Sequence, residues 1–161
     1  MPGGDPREYI ENDLELTCLG ITIANGYTSL PEDFRFISRD LKMWDQVDNL
    51  YPALILQAEA VETMFIELGW EVEARLGYRF IVYFRPISGE YPATTANGYR
   101  SAIERGIMLA PGRQGYADWT ELDQTPLPLI WKDSLTGPIL EVTTHCTVVY
   151  TYDPRATAVA P

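Results

Sequence analysis

At 161 residues and 18.2 kDa the chain has the length of one domain, and its 46% hydrophobic, 22% charged and 12% aromatic content excludes intrinsic disorder. The formal net charge of −11 lies wholly in the first half: residues 1–74 hold 15 acidic against 4 basic side chains, and residues 75–161 hold 8 of each. That field repels phosphate and argues against groove binding to nucleic acid, and no apolar run approaches the ~20 residues that span a bilayer.

The Met-Pro-Gly-Gly-Asp start lacks the basic and apolar regions of a secretory leader, so secretion is not expected. Cys18 and Cys146 are too few for a disulfide framework and are expected as reduced thiols. No linker divides the chain, so 1–161 reads as a single domain with 1–5 and 154–161 as flexible tails.

Asp5-Pro6 supplies a cap and a first-turn proline, and Ile10, Leu14 and Cys18 recur at helical spacing, with Ile21 beyond. Glu8, Glu11, Asp13 and Glu15 occupy mostly the other faces, and Gly20 or Gly26 can end this helix. Short strands are expected at Phe34–Ile37 and Leu41–Trp44. Ala53–Leu56 follows as a strand buried on both faces.

Glu71–Arg85 has a strict period of two. Val72, Ala74, Leu76, Tyr78, Phe80, Val82 and Phe84 share one face. Glu71, Glu73, Arg75 and Arg79 share the other, which turns apolar at Ile81 and Tyr83. A helix is expected over Tyr99–Leu109, ended by Pro111-Gly112. Leu129–Lys132, the turn Asp133–Gly137 and the long strand Ile139–Asp153 then read as a hairpin. This order predicts an α+β fold: a largely antiparallel or mixed sheet with two main helices packed on one face. Thr-x-Ala-Asn-Gly-Tyr-x-Ser occurs at Thr22–Ser29, after a helix, and at Thr94–Ser101, before one, so the match is read as chance.

Catalytic chemistry finds little foothold. His145 is the one histidine, and Cys146 beside it on a strand points to the opposite face, so the two cannot share a metal. No nucleophile elbow, Cys-x-x-Cys or phosphate loop occurs. Glu71 and Glu73 share a face as paired acids do, but Arg75 and Arg79 continue it, which favours charge pairing. Asp118, Glu121 and Asp123 around Trp119 lack the order of a calcium loop. Trp44, Trp70, Trp119 and Trp131, with ten tyrosines, suit either a core or contact anchors. The expectation is therefore a non-enzyme without cofactor or metal.

Length adds a clue to assembly. Fourteen residues of strand at ~3.4 Å each span about 48 Å, whereas a compact chain of this size is about 40 Å across. Glu71–Phe84 must bend at Gly77 or project and pair elsewhere. Glu71, Glu73, Arg75 and Arg79 are the residues expected to face a neighbouring copy, since alternating signs suit reciprocal pairing.

The sequence resembles the tail terminator proteins of long-tailed bacteriophages and gene transfer agents. The likeness lies in the first helix closing in Leu19-Gly20-Ile21-Thr22-Ile23-Ala24-Asn25-Gly26-Tyr27, then Tyr51-Pro52-Ala53-Leu54-Ile55-Leu56. It continues through the Glu71–Arg85 strand, the Tyr99–Leu109 helix and the Ile139–Asp153 strand. It covers residues 6–153, apart from Gly112–Pro128, which match nothing in it. The resemblance implies a virion protein assembled in the host cytoplasm. It implies a sixfold homo-oligomeric ring that caps the tail tube protein, ends tube growth and meets the head completion or connector protein. DNA then passes the lumen without specific binding. Another head–tail neck or minor tail protein, a small carboxylate-dependent hydrolase and a ligand-binding module are the alternatives.

Overall fold

Strict alternation over Val72–Phe84 makes that strand the centre of the fold. The computed structural model describes residues 6–40, 42–66, 71–123 and 129–153, with side chains throughout except at 60–66. The elements run α1 (Pro6–Gly20), β1 (Phe36–Ser38), β2 (Ala53–Ile66), β3 (Val72–Phe84), α2 (Pro92–Met108), β4 (Trp119–Leu122), β5 (Ile130–Lys132) and β6 (Ile139–Tyr152). The sheet order is β1-β2-β3-β6-β4, with β5 on β6. Among the described pairings only β1–β2 is parallel. The architecture is the expected one: a mixed, largely antiparallel sheet with both long helices on one face. The expected tails at 1–5 and 154–161, with Leu41, Trp70 and residues 124–128, lie outside the described residues.

The inner face carries the main core. Leu54, Leu56, Ala74, Tyr78, Phe80, Val82, Phe84, Leu140, Val142, Cys146 and Val148 pack beneath Ile10, Leu14 and Cys18 of α1 and Tyr99, Ile103 and Ile107 of α2. Gly106 lets the helices close on each other, since a Cβ there would lie 2.9 Å from the Ile21 side chain. A buried cation pins the connection after α2. Arg113, fully buried, reaches Asp13 at 3.2 Å, Thr17 and Thr120 at 3.3 Å, and the Ile107 carbonyl. Gln114 donates to the same Asp13 at 2.8 Å. Arg113 and Gln114 both have left-handed backbones (φ 44° and 57°), a conformation that their hydrogen bonds hold in place.

Three expectations change. Leu41–Trp44 is not a strand: its described part, Lys42–Trp44, belongs to a loop that folds over the outer face. There Trp44, Val47 and Tyr51 cover Ala53, Ile55, Ile81, Tyr83 and Ile139. The apolar outer positions of β3 need that cover more than the sheet needs another edge. Second, α2 starts at Pro92 rather than Tyr99, with Tyr91 as its cap and proline in the first turn. The second copy of the repeated phrase therefore lies inside α2, while the first holds a 3-10 turn at Ile23–Asn25. Third, β2 runs to Ile66, well past Leu56.

The irregularity expected at Gly77 sits instead in the facing strand. β3 pairs with β6 without interruption from Val72–Tyr152 to Phe84–Leu140. Against β2, Tyr78 faces Ala58 and Leu76 faces Glu62, so Glu59–Val61 oppose Gly77 alone. Nor does β3 project by itself, because β2 and β6 flank it along its whole length.

Candidate functional site

The outer face of the sheet changes character along its strands. Beyond the apolar patch under Tyr51 it becomes polar: Glu59 from β2, Glu73, Arg75 and Arg79 from β3, His145 from β6, and Glu121 from β4. The bulge and Gly77 together shape this region. Glu59 lies across Gly77, where an added Cβ would be 2.6 Å from its Oε2 and 3.3 Å from its Cβ. From that position its Oε1 accepts from Arg79 Nε at 2.5 Å and lies 3.5 Å from His145 Nδ1. Arg79 and His145 are directly opposed in the β3–β6 register. One carboxylate thus ties three strands.

The second arginine works the same way two repeats of the pleat further on. Arg75 donates to Glu73 at 3.3 Å and lies 3.9 Å from Glu121 on β4. The four residues expected at an interface therefore divide. Glu73, Arg75 and Arg79 share the outer face and have partners within their own chain, while Glu71 is exposed just before β3. Glu73 and Arg75 are paired to each other, as charge pairing predicts.

Between Glu59, Glu121, Leu122, Asp123, His145 and Thr147 lies a concavity of about 290 Å³. Its lining accepts hydrogen bonds more than it donates them. Asp118 is elsewhere, accepting from Thr151 at 2.7 Å, and Glu121 also accepts from Trp119 Nε1 at 2.9 Å. Of the Asp118–Asp123 carboxylates, Glu121 and Asp123 thus share the concavity and Asp118 stands apart. Among the described residues no group of three or more His, Cys, Asp and Glu is placed to hold a metal ion. Cys146 takes the opposite face from His145, as alternation requires. Burial pushes its thiol up to about 12 and drives the Cys18 thiol upward as well. Buried neutral thiols of this kind are poor nucleophiles. Of the tryptophans, Trp44 packs on the outer cluster, whereas Trp119 and Trp131 are exposed.

Sequence spacing alone marks neither Glu59 nor the pairing of Asp13 with Arg113. Glu59 sits in the stretch of β2 whose alternation is weak; the signal that bears on it is the glycine in mid-strand opposite, which leaves room for a crossing side chain. Arg113 has a comparable marker in Gly112 and Gly115 on either side. Set beside known proteins, the chain matches no family model and no curated sequence.

Proposed function

We propose that the protein is a structural, non-enzymatic component of the tail-terminator kind. In this reading identical copies form a ring that caps the tail tube of a phage or gene transfer agent. The ring ends tube polymerisation and joins the tail to the head connector, and DNA passes through it without specific binding. The observation that carries the reading is the uncovered end of the sheet. There β2, β3, β6 and β4 lie abreast, no further strand among the described residues closes either edge, and the outer face bears ion pairs. A surface of main-chain groups and paired charges suits contact with other protein copies. The element order of the resemblance adds support, since α1, the buried Ala53–Leu56, long β3, α2 and β6 follow one another as it requires.

Light scattering of the purified chain tests the proposal. The expected mass is near six chains of 18.2 kDa, with rings in negative-stain images that bind one end of assembled tail tubes. A monomer that leaves tube length unchanged would refute it. A ring that binds the connector but not the tube would favour another neck protein.

A second reading, a small hydrolase or ligand-binding module, draws on Glu59 meeting His145 over the concavity. Glu59→Gln and His145→Asn separate the two: full ring formation and particle yield in both variants would exclude chemistry at that place.

A further inference from the structure

The directions of the strands name the seam of such a ring, an inference that rests on the ring reading. At the uncovered end the order is β2, β3, β6, β4, each antiparallel to the next. Four alternating strands leave the outermost two, β2 and β4, pointing opposite ways. A second copy related by rotation about an axis along the strands brings its β2 beside the first copy's β4. That junction is antiparallel, like every other in this part of the sheet. Three or five strands would have made it parallel.

The two edges are also level, and among the described residues no further strand pairs with either there. Trp119 and Thr120 face Val149 and Val148, which face Arg75 and Leu76, which face Thr63 and Glu62. The strands that close the sheet elsewhere stand clear of this level: β1 pairs with β2 only at Ala53–Ile55, and β5 with β6 only at Ile139–Glu141. On β4, the Asp123 N–H donates to the His145 carbonyl at 3.0 Å. Ladder alternation from that bonded pair turns the main-chain groups of Thr120 and Leu122 away from β6, toward the open side. Because the edges are unlike, their contact is head to tail, the type that closes into rings.

We propose that neighbouring copies join edge to edge, Trp119–Leu122 of one lying antiparallel to Glu62–Ile66 of the next, so that one sheet continues around the ring. The occupant of each open edge is a second copy of this chain. Arg75 and Glu121 lie beside that seam and brace it from within each copy.

Cysteine cross-linking of the full chain tests the seam. Within one copy β2 and β4 are three strand spacings apart, ~14 Å, well beyond the ~7 Å that a disulfide bridges. A bond between positions 63 and 121 must therefore join two copies. Cys18 and Cys146 are buried and do not compete. Thr63→Cys with Glu121→Cys in one chain, and Val61→Cys or Phe65→Cys with Glu121→Cys to allow for registers that keep the same face, are oxidised mildly and run without reductant. The expected result is a ladder of covalent multimers from at least one pair, with each single variant remaining monomeric on the gel. A wild-type chain that is monomeric in solution overturns the ring and the seam together. An intact ring in which no pair cross-links, or in which Thr63→Cys alone gives dimers, overturns the seam and leaves the ring standing.

Discussion

The two ends of the sheet's outer face use the same three long strands and reach opposite outcomes. At one end Ile55, Ile81, Tyr83 and Ile139 are buried beneath Val47, Tyr51 and Trp44, and β1 and β5 close the edges. At the other, Glu59, Glu73, Arg75, Arg79, His145 and Glu121 stay partly exposed, and no further strand among the described residues pairs with β2 or β4 there. Backbone geometry is common to both. The difference lies in what alternate positions carry: apolar side chains recruit a loop because burial returns roughly 25 cal/mol per Å². Charged ones that pair along the sheet need no cover. A closed end serves stability, and an end left open by its own charges is free for contact.

Substitutions can break or sharpen that contrast. The largest loss is expected beneath both ends, in the helical layer. Arg113→Met leaves Asp13 buried without its cation and should cost about 3–5 kcal/mol in urea unfolding. Adding Asp13→Asn should recover part of it. At the closed end, Ile55→Ala opens a cavity under Tyr51 and should cost about 3 kcal/mol by the same measurement.

Of the outer face's two ends, the closed one should also be the more alkali-sensitive. Burial pushes the Tyr83 hydroxyl up to about 12 from its ordinary 10. The unfolded chain gives up that proton first, so stability falls between pH 10 and 12 by about 1.4 kcal/mol per unit from this group. Tyr83→Phe should remove that share of the slope in pH-dependent melting. At the open end effects shrink. Arg79→Gln should cost no more than ~0.2–1 kcal/mol, the range of a partly exposed pair. Smaller still is Gly77→Ala: the added methyl displaces the flexible end of Glu59, while alanine regains strand stability, leaving a net change within about 0.5 kcal/mol. A double-mutant cycle should then find the Glu59–Arg79 coupling weakened. A large loss in either open-end variant would mean that this face is a structural core after all.

Legibility in the sequence followed the same division. β3 and β6 announced themselves because one face is apolar throughout in β3 and apolar but for Thr144 in β6, and the turn Asp133–Gly137 joins β5 to β6 as its residues suggested. β2 beyond Leu56 did not, because Gln57–Ile66 mixes polar and apolar residues at both alternate sets of positions. The first turn of α2 was hidden by Pro92, Thr94 and Thr95, residues equally at home in loops. The common face of Glu73, Arg75 and Arg79 was readable from spacing alone. Their partners were not: Glu59 is 20 residues from Arg79 and Glu121 is 46 from Arg75, and only the strand order brings them together. Asp13 reads as solvent-facing on a helical wheel, and its burial depends on a cation 100 residues away.

The bulge in β2 has a consequence for how this chain tolerates changes of length. Between Ala58–Tyr78 and Glu62–Leu76, β2 spends three residues where β3 spends one, a surplus of two. An even surplus leaves the frame of inside and outside intact from Ala53 to Ile66. Deleting one residue from Glu59–Val61 would leave two residues opposite Gly77, an ordinary bulge that bends the strand locally while Glu62 to Ile66 keep their partners. Deleting two would restore an unbroken ladder and keep the faces, removing only the slack that lets Glu59 cross Gly77. Deletions of one or two residues at this point of the chain should therefore be accepted, and what they remove is the crossing of Glu59 rather than the pairing of the strands.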